Sequence, residues 1–140
     1  MEQLIEFTMN HWVLVLSFTL VAGLLLFNLS QGNKHSLEPS AATDLINHQE
    51  AVVVDVRPAA DFHKGHIINA INIPSNGFAN QMGVLNKYKD KPIIVSCRSG
   101  AQSSSACQQL KKAGYEQVYN LKGGILAWQN ANLPITRKKK

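Results

Sequence analysis

Charge is missing from the beginning of this chain. From Phe7 to Asn33 there is no Asp, Glu, Lys or Arg, and no basic residue precedes Lys34. The strongly apolar part runs from Trp12 to Leu29 and includes Val13-Leu14-Val15-Leu16 and Leu24-Leu25-Leu26-Phe27. As a helix, that stretch reaches about 27 Å, close to a hydrocarbon core of roughly 30 Å. Trp12 stands at one edge, where an indole favours the membrane interface. A cleaved secretory signal expects a basic n-region and an Ala-x-Ala-like cut site; both are lacking, and Glu2 and Glu6 make the start acidic. A polar helix face is lacking too, which argues against a half-buried helix of a globular domain. What remains is an uncleaved single-pass anchor. The basic bias, with none before the span and Lys34 just after it, predicts that the chain beyond faces the cytoplasm.

Other scarcities narrow the function. Net charge is +5, but Arg137-Lys138-Lys139-Lys140 carry +4 of it, leaving +1 for the remainder. That balance argues against a nucleic-acid-binding face and leaves the tail as a solvated tag, with anionic lipid as its alternative partner. His63 and His66 have no partner at metal-ligand spacing, so both read as structural or solvated and no metal is expected. There is no internal repeat. The chain divides into an N-terminal segment (1–30) holding the span, a polar linker (31–38), a domain (39–135) and the basic tail (136–140). About a hundred residues suffice for one domain with its own core.

Within that domain, helical and strand patterns alternate. Helices are expected over Ser40–Asn47, Phe78–Leu85, Ser103–Ala113 and Ile125–Asn130. Strands are expected over Val52–Val56, near Ala70–Ile73, and over Ile93–Ser96 and Val118–Leu121. Gly65 marks a turn, Pro74 ends a segment, and Gly114 suits the position after a helix end. Near-continuous Val/Ile runs imply strands buried on both faces, hence a largely parallel sheet between helix layers: an α/β fold. Cys97 sits where the strand Ile93–Ser96 stops, and Cys97–Gln102 are small or polar. Ligand sites form at the carboxyl ends of such strands, and a helix N-terminus points N–H groups at an anion lying there. A thiol in that position is biased toward thiolate, so Cys97 reads as a nucleophile. Cys107 falls with Ala106, Leu110 and Ala113 on one apolar stripe and reads as core.

Four segments in order carry a resemblance. They are Val52-Val53-Val54-Asp55-Val56-Arg57; Asp61 to Pro74, with Gly65-His66-Ile67; Cys97-Arg98-Ser99-Gly100-Ala101-Gln102-Ser103; and Leu121-Lys122-Gly123-Gly124-Ile125-Leu126-Ala127-Trp128. Together, over about residues 36–135, they resemble the rhodanese-like (sulfurtransferase) family, in its membrane-anchored single-domain bacterial type. The resemblance implies the three-layer rhodanese-like fold and a two-step sulfur transfer. Cys97 would take the sulfane sulfur of thiosulfate or a persulfide as its own persulfide, then pass it to a thiol or other nucleophile. It implies substrate binding by Arg98, Ser99, Gly100, Ala101, Gln102 and Ser103, whose successive N–H groups form an anion cradle. Arg98 and the hydroxyls of Ser99 and Ser103 would help with the donor anion. Asp55 and Arg57 would brace the loop bases, Trp128 would plug the core, and no cofactor is required. With the anchor, it places the chain at the bacterial inner membrane, with a membrane-protein partner as a further possibility. Two residues depart from the pattern: Gln102 stands where many members carry Arg, and Asn69 where Gly is usual.

Two other functions compete. A non-catalytic docking module at the membrane is one, since rhodanese-like domains are often recruited for binding. A cysteine phosphatase or arsenate reductase is the other. It needs Cys-x5-Arg for a guanidinium clamp, and here Ser103 holds that position in a loop one residue too short.

Overall fold

The computed structural model describes residues 1–32 and 35–137. Two compact units divide it, Met1–Lys34 and His35–Lys140. Lys34, which carries the orientation argument, and Lys138–Lys140 of the tail lie outside the described residues.

The first unit consists of α1 (Glu2–Asn10) and α2 (Trp12–Gly32), separated at His11, whose backbone leaves the helical region at φ −125°, ψ 35°. The α1 helix was not expected from the sequence. Over Trp12–Ser30 the mean hydropathy is 2.2, long and apolar enough to cross a membrane. Its large apolar side chains are exposed on every side, for example Leu14, Phe18, Val21 and Leu25. A helix with an apolar surface all round is the kind that protein cores and membranes bury.

The second unit is a five-stranded sheet in the order β1-β6-β5-β2-β4, every pair parallel. The strands are β1 (Ser36–Leu37), β2 (Val52–Asp55), β4 (Ile71–Asn72), β5 (Ile93–Ser96) and β6 (Val118–Leu121). Alternation along the strands builds two cores. Val54, Ile93, Val95 and Val118 face one side, packed with Phe78, Ala106, Cys107 and Leu110. Val53, Ile94 and Leu121 face the other, packed with Ala42, Phe62, Ile125 and Trp128. The first layer therefore carries α5 (Phe78–Gln81) and α6 (Ala101–Lys112); the second carries α3 (Pro39–Gln49), α4 (Ala59–Lys64) and α7 (Gly124–Asn130). This is the sheet between helix layers that the Val/Ile runs predicted.

The departures are local. The helix expected over Phe78–Leu85 tightens after Gln81 into a 3₁₀ stretch, Met82–Tyr88. Gly83 lies at that change, and glycine weakens an α-helix by about 1 kcal/mol relative to alanine. Helix α4 was not expected; Pro58 before its first residue and Asp61 in its first turn are its start signals. A small antiparallel ribbon, β3 (His66–Ile67) with β7 (Ile135–Thr136), ties the chain's end back to the turn at Gly65. At the Asn69 departure the backbone is left-handed, φ 64°, a region asparagine tolerates where most residues would be strained.

Candidate active site at the end of strand β5

Strand β5 runs between β2 and β6, the middle of the sheet, and delivers Cys97 at its carboxyl end. Val56 N–H donates to Ser96 O at 2.9 Å, so β2 stays bonded to β5 up to that point. The chain then folds back sharply. Gly100, at φ +101°, turns it directly into α6, which begins at Ala101 rather than at the expected Ser103. The N–H groups read from sequence as a loop are therefore partly the first turn of a helix. Gly100 N–H donates to Cys97 Sγ at 2.9 Å, and Ser103 Oγ lies 3.4 Å from the same sulfur.

A second turn grips the loop from behind. At the start of α7, Ile125 N–H donates to Cys97 O at 2.8 Å and Leu126 N–H to Arg98 O at 3.3 Å. Gly124, at φ +58°, makes the approach possible: a Cβ there would overlap the Cys97 carbonyl and the backbone of Arg98. The Gly-Gly motif is thus a packing surface for the cysteine loop.

Burial of the sulfur pushes the Cys97 pKa up. The Ser103 hydroxyl and the N–H groups of Ser103, Gly100 and Ser99 act against it, and the balance lies below an ordinary thiol. Cys107 has burial without these donors, and its pKa is pushed up to about 11. Alkylation should therefore separate the two. The pH at which iodoacetamide labels Cys97 at half its maximal rate should fall below that of a free cysteine, while Cys107 stays unlabelled near neutrality. Ser103→Ala should move the Cys97 midpoint up by about one pH unit, the worth of one hydrogen bond to a charged group. A midpoint at the free-cysteine value would remove the electrostatic reading. Restricted access of the reagent scales the absolute rate but not this midpoint.

The residues grouped by sequence have different surroundings. Arg98, Ser99, Ala101 and Gln102 are exposed and Gly100 is half-buried. Ser103 is fully buried beside the sulfur, and its hydroxyl donates to Asn120 Oδ1 at 2.5 Å and Gly100 O at 3.1 Å. Cys97 itself is only 2 % exposed, at the floor of its loop. Asp55 and Arg57 form a buried fork. The Asp55 carboxylate accepts from Arg57 N, Nε and Nη2, and Arg57 Nη2 also donates to Gly65 O at 2.7 Å. Asn72 Nδ2 closes the knot on the Asp55 and Arg57 carbonyls. These bonds brace the turn after β2; its link to the cysteine loop is the backbone bond to Ser96. Cys107 is 5 % exposed in the core, and Trp128, also buried, donates through Nε1 to Pro134 O at 3.0 Å. His66 is buried, bonded through Nδ1 to Phe62 O and stacked on the Phe62 ring, while His63 is exposed.

Sequence reading missed Asn120. It was legible as the one polar side chain on a strand face that should be apolar, two residues from buried Val118. Among the described residues, no cluster of three His, Cys, Asp or Glu could hold a metal ion. A groove of about 1380 Å³ runs along edge strand β4, lined by Ile68, Ile71, Val84 and Tyr88 among others; it shares no residue with the Cys97 loop.

A parallel α/β domain with an amide-ringed cysteine at the end of a central strand defines a class of thiol-centred sheet proteins. The rhodanese-like domain family matches residues 38–131, and the chain belongs to that family. The protein YibN of Escherichia coli is 42% identical over 143 residues, covering 99% of this chain and all of YibN. A sulfurtransferase of Allochromatium vinosum is 36% identical over 96 residues, covering 69% of this chain and 88% of its own. A rhodanese-related protein of Thermoplasma volcanium superposes with a TM-score of 0.67 at 27% identity, over 74% of this chain and 99% of that one.

Proposed function

We propose that this protein is a sulfurtransferase working through a Cys97 persulfide. The observation that carries the reading is the ring of donors on Cys97 Sγ, led by Gly100 N–H at 2.9 Å. In the first step, the Cys97 thiolate attacks the outer sulfur of thiosulfate. A sulfur–sulfur bond forms to Cys97, the donor's own sulfur–sulfur bond breaks, and sulfite leaves with the electron pair. A persulfide donor would lose a thiolate instead. In the second step an acceptor thiolate attacks the outer sulfur, forming a new persulfide and returning Cys97 as thiolate. Negative charge stays on sulfur at both stages, and amides already aimed at it need no reorganisation. Incubating the protein with thiosulfate or a persulfide should add one sulfur atom to the peptide carrying Cys97, read by mass spectrometry. No gain with any donor would sink the proposal.

The 2 % exposure of Cys97 favours a second reading, a docking module whose cysteine is structural. The same mass measurement decides between them. Donor choice turns on the exposed first turn of α6, where Gln102 leaves one cation fewer than many relatives have. Gln102→Arg should lower the KM for thiosulfate about fivefold, the order of one partly exposed charge pair. An unchanged KM would show that the position does not touch the donor.

The reading includes a tether. The α2 helix is apolar on every side, and YibN matches the chain along its whole length, this segment included. The domain would then be held at the inner membrane and face the cytoplasm, where a reducing environment keeps Cys97 free. The full chain should stay with the membrane fraction after an alkaline carbonate wash, and release into the supernatant would contradict the tether.

A further inference from the structure

Asn120 occupies a position that strand alternation assigns to the apolar face beneath α6, in register with Val95 on β5. A buried-side polar group on a sheet must be satisfied, and this one is satisfied entirely by the cysteine loop. Its Nδ2 donates to Gly100 O at 3.0 Å, and its Oδ1 accepts from Ser103 Oγ at 2.5 Å. The orientation of the amide follows from those partners, because a carbonyl oxygen facing Gly100 O would meet another acceptor. The two groups it holds are the two that face the sulfur. Gly100 supplies the N–H at 2.9 Å and Ser103 the hydroxyl at 3.4 Å.

We propose that Asn120 is a positioning residue for the Cys97 sulfur, clamping Gly100 and Ser103 from the neighbouring strand. Ser103 has one hydroxyl proton and three acceptors within reach: Asn120 Oδ1, Gly100 O and Cys97 Sγ. Against a thiolate the hydroxyl turns its proton to the charge, the stronger acceptor. Asn120 Nδ2 holds Gly100 O, and with it the Gly100 N–H on the sulfur, while the amide keeps Ser103 Oγ beside Cys97. Without the clamp these two groups are free to drift from the sulfur, and the thiolate loses their support. The clamp on the thiolate does not rest on the sulfurtransferase reading.

The test uses the pH profile of Cys97 alkylation on the whole protein, with melting temperature measured alongside. Asn120→Leu keeps the size of the side chain and removes both bonds; Asn120→Ala removes them with the bulk. Both should raise the alkylation midpoint of Cys97 by about one pH unit, corresponding to an about tenfold smaller thiolate fraction at neutral pH. A midpoint unchanged in the folded variants would overturn the proposal and leave Asn120 as packing alone, even if melting temperature fell. Should one variant fail to fold, the other decides. Alkylation needs no sulfur donor, so a wild-type protein that never gains sulfur would count against the sulfurtransferase reading and leave this result standing.

Discussion

Cys97→Ser should carry no added sulfur after incubation with thiosulfate or a persulfide donor, whereas Cys107→Ser should keep most of the uptake. Only a thiolate attacks sulfane sulfur at neutral pH, and a serine hydroxyl stays protonated there even among good donors. The two cysteines lie in the same core layer, so burial alone does not distinguish them. Their neighbours do. Cys97 has a hydroxyl and three N–H groups turned toward it, and Cys107 has none of these. A thiol pushed up to about 11 leaves a thiolate fraction on the order of one in ten thousand at pH 7. Equal loss from the two variants would put Cys107 in the mechanism as a second carrier, and would mean the buried helix face opens during turnover.

Much of this arrangement could be read before any coordinates. The strands Ile93–Ser96 and Val118–Leu121 have the bounds expected of them; for the first, a fully buried run of β-branched residues has few other structures open to it. Cys97 could be placed at a strand end for the same reason. Chemistry that depends on contacts across the sheet could not be placed. Nothing in Val118-Tyr119-Asn120-Leu121 says that an asparagine will meet a glycine carbonyl twenty residues earlier. The helix bound near Ser103 was not legible either: α6 begins two residues earlier, at Ala101, and Ser103 lies buried in its first turn beside the sulfur. The two-residue strands β1, β3 and β7 are too short for any periodicity to mark them.

The Gly-Gly turn is the part of the site most exposed to a single methyl group. Gly124→Ala should destabilise the domain by about 2–4 kcal/mol, because it combines two penalties. A left-handed backbone, φ +58°, costs a non-glycine residue about 1 kcal/mol. The new Cβ would also overlap the Cys97 carbonyl and stand 2.7 Å from the Arg98 carbonyl carbon, both backbone groups that cannot rotate away. For a domain of about a hundred residues this corresponds to a melting temperature lower by roughly 10–20 °C. Gly114→Ala isolates the first penalty: its backbone is also left-handed, φ +96°, yet an added Cβ meets nothing within 4 Å. Equal losses from the two variants would mean the turn does not press on the cysteine loop at all. If it does, relief of the overlap must lengthen the bond from Ile125 N–H to the Cys97 carbonyl. The loop then loses its rear support, and surviving Gly124→Ala protein should alkylate at Cys97 with a midpoint shifted toward that of a free thiol.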